Sequence, residues 1–309
     1  MKNLITGGAG FIGVNLIQEL LKLKENVICL DNFSTGLKIN LKRWENNPLF
    51  QYLDHDITNP IDIKVDRVWH LACPASPYYY QKDPIKTSKI NFLGTYNALE
   101  IARNNEARIL FTSSSEIYGN SKNNIQSEND FGNINPIGRR SCYGEGKRIG
   151  ETLFYDFKRI HNIDIRVARL FNIYGPNMFP YDGRVISNFI VQALRNKPIT
   201  VYGDGSQTRS FCYIDDLILG ITKLMDSKYS KPVNFGNPYS EFKIMDIALI
   251  IREKINPKLS IQYKELPEDD PLSRSPDINV AKNSIFWEPK ISFNKGLEYT
   301  INYFKKIIV

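Results

Sequence analysis

The chain has 309 residues and a formal net charge of +7, with 42% hydrophobic and 24% charged residues. At roughly 100–200 residues per domain this predicts one large or two intimate domains with a real buried core. The Lys and Arg residues are dispersed rather than blocked, which argues against a nucleic-acid partner, and no apolar run is long enough to cross a bilayer.

Lys2–Thr6 (KNLIT) reads as a strand. It runs into ITGGAGFIG, where Gly8, Gly10 and Gly13 fit G-x-G-x-x-G. Apolar residues at Val14, Ile17, Leu20 and Leu21 then give Phe11–Lys24 helical spacing. A glycine loop between a strand and a helix lets backbone approach a pyrophosphate at the positive end of the helix. The next strand, NVICLD, ends at Asp31, at the distance where a carboxylate accepts from the adenosine ribose hydroxyls and repels a 2′-phosphate. No Arg or Lys follows in DNFSTG, so NAD is expected rather than NADP. FQYLD is the third strand, and Asp56 after it is a candidate for the adenine amino group or an ordinary loop residue. DRVWHLA is a strand, IKTSKINFLGTYNALEIARN a helix and ARILFTSS a strand. Tyr143–His161 is a helix and DIRVARLF a strand.

This alternation predicts an α/β fold: a Rossmann-type, doubly wound parallel sheet with helices on both faces. From about Tyr174 Pro and Gly rise and the alternation becomes irregular. We therefore expect an NAD-binding domain over residues 1–172, with a returning segment near 205–230. Residues 173–309 would form mainly a smaller C-terminal substrate-binding domain.

In SCYGEGKRIGE, Tyr143 and Lys147 stand four apart and share one helix face. A phenol is a poor base, with an ordinary pKa of about 10. A lysine ammonium and a nicotinamide charge would both favour phenolate, which can take a proton from a sugar hydroxyl during hydride transfer. FTSSSEIYG, at a strand end where open α/β sheets bind ligands, adds Ser113, Ser115 and Glu116. Gly144 and Gly146 are costly in a helix, at about 1 kcal/mol each relative to Ala. Gly144 falls near the helix start; Gly146 would permit close approach of cofactor or sheet. The four cysteines (Cys29, Cys73, Cys142, Cys212) form no C-x-x-C pair, and three histidines are too few for a zinc cluster. Structural thiols and no metal are expected. MKNLITGG has no signal-type apolar core, so a cytoplasmic location is expected.

These motifs together resemble the extended short-chain dehydrogenase/reductases that act on nucleotide sugars. The resemblance rests on TGGAGFIG, DNFSTG, HLACPAS, TSSSEIYG, Tyr143–Lys147, RLFNIYGP and VYGDGSQTRSF. Within them the chain is most similar to UDP-glucuronate decarboxylases (UDP-xylose synthases). HLACPASPYYYQKDPIKT, NINPIGRRSCYGEGKR, DGRVISNFIVQAL and DDPLSRSPDI carry that narrower likeness. The resemblance implies that NAD is held by Gly7, Gly10, Phe11, Ile12, Gly13, Asp31, Asn32, Thr35, Gly36, Asp56, Ile57, Leu71 and Ala72, with Tyr143 and Lys147. It implies Tyr143 as acid/base, Lys147 as its partner, and Ser115 on the reacting C4 oxygen. Glu116 would lie near C5, helping decarboxylation or the later protonation, and Arg274 would take the glucuronate carboxylate. Pro74, Ser76 and Tyr80 would line the sugar pocket, Asn172 and Arg209 the phosphates, and Thr200 and Tyr202 the uracil. Relatives of this kind form dimers through two helices per subunit, here those containing Ile85–Arg103 and Tyr143–His161.

A 4,6-dehydratase carries an Asp–Glu pair where Ser115–Glu116 stands, and a serine is a poor acid for expelling hydroxide. A 4-epimerase uses the same Tyr–Lys pair but usually lacks the glutamate. A non-catalytic NAD sensor generally loses the tyrosine or lysine, and both remain here. The decarboxylases commonly carry an acidic residue at the position of Gly144, which bears on rate more than on reaction type.

Overall fold

A computed structural model describes residues 1–121, 123–267 and 273–308. In chain order its elements begin with β1 (Lys2–Thr6), α1 (Phe11–Lys22), β2 (Asn26–Asp31), β3 (Phe50–Asp54) and β4 (Arg67–His70). Then come α2 (Pro77–Lys82), α3 (Pro84–Lys89), a π-helical turn (Ile90–Gly94) and α4 (Thr95–Asn104). β5 (Arg108–Ser114) leads through a 3-10 turn (Ser115–Tyr118) to β6 (Ile125–Gln126), α5 (Ser141–His161), β7 (Ile165–Leu170) and β8 (Asn172–Tyr174). The second half holds α6 (Val185–Leu194), β9 (Ile199–Tyr202), β10 (Thr208–Tyr213), α7 (Ile214–Asp226) and β11 (Pro232–Phe235). It continues with β12 (Glu241–Lys243), α8 (Ile244–Ile255), β13 (Ile261–Lys264), β14 (Ser275–Pro276), α9 (Asn279–Ile285) and α10 (Phe293–Ile308).

Seven strands form one sheet in the order β11-β7-β5-β4-β1-β2-β3, every pairing parallel. Its strands are covered on both faces, which is why β1, β2, β5 and β7 read as nearly unbroken buried runs. The strand order reverses between β1 and β4, and the crevice beyond their carboxyl ends is where such sheets take ligands. β11, from the second half of the chain, completes the sheet at its edge, and α7 packs on α1.

The remaining strands form small sheets, β12-β10-β8 and β13-β9, over which α6, α8 and α10 pack. Phe293, at the start of α10, anchors this part against Tyr174, Phe211 and Phe242. One short pairing, β14 with β6, ties the C-terminal arm back to the loop after β5.

Two predicted helices differ in detail. The expected single helix beginning near Ile85 is α3 and α4 joined by the π turn. The helix expected from Tyr143 begins at Ser141, so Gly144 lies in its first turn. Gly146 meets a neighbouring helix, not cofactor or sheet. A Cβ there would lie 2.6 Å from Asn91 Nδ2, on the π turn. Gly150, one turn further, would meet Phe111 of β5 at 2.6 Å. These two glycines let α5 lie close on both neighbours.

Candidate active site

A cavity of about 1030 Å³ opens above the carboxyl ends of β1, β2, β4 and β5. Pockets for one drug-sized ligand run to roughly 1,000 Å³, so this one has room for an extended or two-part ligand. Every residue that the resemblance assigns to the site lines it, from Gly7 and Asp31 at one end to Thr200, Tyr202 and Arg209 at the other.

At the first end, Gly7 has φ +71, and a Cβ there would sit 2.8 Å from the Ala72 backbone. A Cβ on Gly13 would lie 2.5 Å from Gly8 Cα. Gly8 does not line the cavity; it makes room for Cys29 Sγ, which a Cβ would meet at 2.6 Å. The glycines thus bring the start of α1 against the loop after β1, at the edge of the cavity, and the N–H groups that a helix start leaves without intrahelical partners suit a pyrophosphate. Asp31 accepts from Ala9 N at 2.9 Å and Phe33 N at 2.8 Å, and burial raises its carboxyl. A carboxylate offers about four lone-pair sites, so capacity for ribose hydroxyls remains. Asp56 accepts from Asn32 Nδ2 at 2.8 Å and from Thr58, and these bonds outweigh burial and hold its carboxyl below the ordinary range.

In the middle, Lys147 Nζ donates to the Thr112 carbonyl at 2.9 Å and lies 5.7 Å from the centre of the Tyr143 ring. The sequence led us to expect the ammonium to depress the phenol. Burial instead dominates both groups: it pushes the Tyr143 hydroxyl well above its ordinary value and lowers Lys147. The hydroxyl that hydrogen-bonds the phenol is that of Ser114, a residue the sequence reading passed over. Tyr80 stacks on Tyr143 with ring centres 5.0 Å apart and planes within 5°. Beneath them His70 is buried between Thr6 Oγ1 (2.8 Å) and Thr95 Oγ1 (3.1 Å), and burial lowers it to about 3, so it is neutral.

Glu116 follows Ser115 at the end of β5. Its Oε1 accepts from Arg274 Nη1 at 2.5 Å and from Arg140 Nη2 at 2.8 Å. Burial opposes ionisation, but the two guanidinium groups win and hold the carboxyl at about 2. Glu116 is therefore anionic at neutral pH, held by both guanidinium groups. Arg274 is likewise engaged by Glu116 rather than open. It is carried by the β14 arm, which Gln126 fixes: its Oε1 accepts from Ser275 N at 2.9 Å, and its carbonyl accepts from Asp277 N at 2.8 Å. The start of the DDPLSRSPDI stretch lies outside the described residues.

Among the described residues, Ser76 Oγ, Tyr80 OH, Ser113 Oγ and Arg274 Nη2 are buried without a hydrogen-bond partner, and all four residues line this cavity. Buried polar groups normally have partners, so their convergence marks ligand-facing surface. At the far end Asn172 Nδ2 donates to the Ser210 carbonyl at 3.3 Å, Arg209 Nη1 donates to the Thr208 carbonyl at 2.8 Å, and Thr200 pairs with Gln192. Among the described residues no metal-ligating group and no helix able to cross a membrane occurs.

Sequence reasoning missed Arg140, Ser114, Asn91 and His70. Arg140 had a signal, a cation one turn before Tyr143; the others acquire their places only through packing.

Residues 3–236 match the NAD dependent epimerase/dehydratase family. The chain is 50% identical over 298 residues to UDP-glucuronic acid decarboxylase 3 of Arabidopsis thaliana, covering 96% of this chain and 87% of the relative. It is 46% identical over 303 residues to UDP-glucuronic acid decarboxylase 1 of Xenopus tropicalis, covering 98% and 72%. Among solved structures it is similar to UDP-glucuronic acid 4-epimerase from Bacillus cereus in complex with UDP-glucuronic acid and NAD. That likeness has TM-score 0.89 and 30% identity, over 99% of this chain and 100% of that one.

Proposed function

Because the chain belongs to the NAD dependent epimerase/dehydratase family, we propose that it is a UDP-glucuronate decarboxylase, converting UDP-glucuronate to UDP-xylose and carbon dioxide. The observation that carries this reading is the buried Arg274, paired with Glu116 beside Tyr143 and keeping one N–H donor group unpartnered in the cavity. A cation so placed suits a sugar bearing a carboxylate at C6.

NAD is the cofactor; when bound it would supply a reversible acceptor for the C4 hydride, so none would be consumed. Gly7, Gly10, Phe11, Ile12, Gly13, Asp31, Asn32, Thr35, Gly36, Asp56, Ile57, Leu71 and Ala72 would hold it. Tyr143 takes the C4 hydroxyl proton. Since burial opposes its ionisation and Lys147 lies across its ring rather than on its hydroxyl, a further positive charge must help. Ser115 and Ser114 steady the C4 oxygen. The resulting 4-ketone lies β to the C6 carboxylate, so the C5–C6 bond breaks to release carbon dioxide and leave an enolate. The proton held by Tyr143 stabilises charge on O4, C5 takes a proton from solvent water, and Tyr143 returns its proton to O4 as the hydride goes back to C4. Arg274 orients the carboxylate; Pro74, Ser76 and Tyr80 bound the sugar. Asn172 and Arg209 face the diphosphate, and Thr200 and Tyr202 the uracil.

The finer readings of assembly and place are also proposals. Ile85, Phe92, Leu93, Tyr96, Ile149 and Ile160 are exposed apolar side chains on the two helical segments expected to pair, which supports a homodimer. A cytoplasmic location is part of the same proposal. The two-part division at about residue 172 is supported by the change from the large sheet to small ones.

Product mass after incubation with UDP-glucuronate tests the reaction. Loss of carbon dioxide is expected. An unchanged mass with new retention means epimerisation, loss of water means dehydration, and unchanged substrate means the proposal is wrong.

A further inference from the structure

Arg140 occupies the cap position of α5, the helix that carries Tyr143 and Lys147. Its carbonyl accepts from Tyr143 N and Gly144 N, both at 3.1 Å, while its side chain reaches Glu116. One residue therefore ties the strand end bearing Ser115 and Glu116 to the helix start bearing Tyr143. The Arg140, Glu116 and Arg274 side chains are 14%, 17% and 5% exposed. Both guanidinium groups donate to the same carboxylate oxygen.

The double pairing has a use if one cation must leave. On the decarboxylase reading, Arg274 turns to the sugar carboxylate, and a buried carboxylate whose partner departs is left uncompensated. We infer that Arg140 is a positioning residue for the decarboxylation: it keeps Glu116 paired and fixed against the start of α5 while Arg274 is given over to the substrate, and this step rests on the function proposed above. When carbon dioxide leaves, Arg274 returns to Glu116. Among the described residues, the groups that face the Glu116 carboxyl include Arg274 from the β14 arm, Arg140 at the cap of α5, Tyr143 in its first turn and Tyr80 from α2.

The test uses the whole chain with Arg140→Met and Arg140→Lys, each with and without Glu116→Gln. Activity is read as kcat and KM on UDP-glucuronate. Glu116 ionisation is read by NMR of protein carrying ¹³C at the glutamate carboxyl, its signal assigned by loss in Glu116→Gln. Arg140→Met is expected to lower kcat about 100-fold, the scale of a misplaced reacting group, with KM changed by less than about 3-fold. Arg140→Lys recovers most of the loss. In the Glu116→Gln background, Arg140→Met costs less than about 3-fold, because its partner is already gone. Without substrate, the Glu116 carboxyl titrates at least about one pH unit higher in Arg140→Met than in the parent. An equal loss in both backgrounds, or an unmoved Glu116 titration, would overturn the inference. If the parent protein releases no carbon dioxide, the function falls and Arg274's transfer with it. The titration still decides whether Arg140 holds Glu116.

Discussion

Glu116 shows how a site can oppose burial with charge. Desolvation alone would raise its carboxyl, and two arginines bring it to about 2 against an ordinary 4.5. The folded state thus favours the ionised form, so the stabilisation is complete above about pH 4.5 and is lost as pH falls toward about 2. Urea unfolding of the parent and Glu116→Gln between pH 5 and 2.5 should show their stability difference shrinking through that window; parallel curves would contradict the pairing. Tyr143→Phe removes the phenolic proton carrier and should lower turnover by about 10²–10⁴-fold without a shift in thermal midpoint. At Gly144, a Cβ would lie 3.3 Å from Ile134 Cδ1 and 3.7 Å from the Glu116 carbonyl. A side chain fits there with small adjustment, so Gly144→Asp should change rate and leave the product the same by mass and retention. Tyr143, Lys147 and Asp31 could be placed at one cavity from their motifs, and Arg274 through the resemblance alone. Arg140 stood in GRRSCYG as one of two loop arginines, and only the fold selects it.

At the scale of elements, α5 is held by close approaches rather than by bulk. Gly146 admits Asn91, whose Nδ2 donates to the Thr87 carbonyl at 3.0 Å and the Cys142 carbonyl at 3.4 Å. The amide thus links the turn before the π segment to the first turn of α5. Gly146→Ala must displace Asn91, so we expect a loss of about 1–3 kcal/mol, typical of overpacking, read as a lower denaturant midpoint. Unchanged stability would mean the two helices can part freely. The π turn was not legible because the residues Ile90–Gly94 continue a good helical pattern; the extra residue in the turn shows only in the fold. The glycine loop was legible because a strand precedes it and a helix follows. Even there, the glycine needing a left-handed backbone is Gly7, just ahead of the G-x-G-x-x-G run, and Gly8 serves packing against Cys29.

At the scale of the molecule, the cavity joins an end built by the large sheet, proposed for the cofactor, to an end built by β9, β10 and α6, proposed for the nucleotide of the substrate. The arm bearing Arg274 crosses between them, pinned by β14–β6 pairing. The irregular second half was legible only as a change of texture, since its small sheets are formed by strands far apart in sequence. The exposed Phe92, Leu93 and Tyr96 predict a dimer by sedimentation, reduced to monomer by Phe92→Glu with Tyr96→Glu; a parent that sediments as monomer would contradict it. The central claim is that one site oxidises C4, removes C6 as carbon dioxide and reduces C4 again with the same hydride. It is tested most directly by following UDP-glucuronate deuterated at C4, in ordinary water, with unlabelled NADH added. The account predicts UDP-xylose that keeps deuterium at C4, with no net change in NADH. Product with hydrogen at C4, or labelled product that retains its carboxylate, would contradict it.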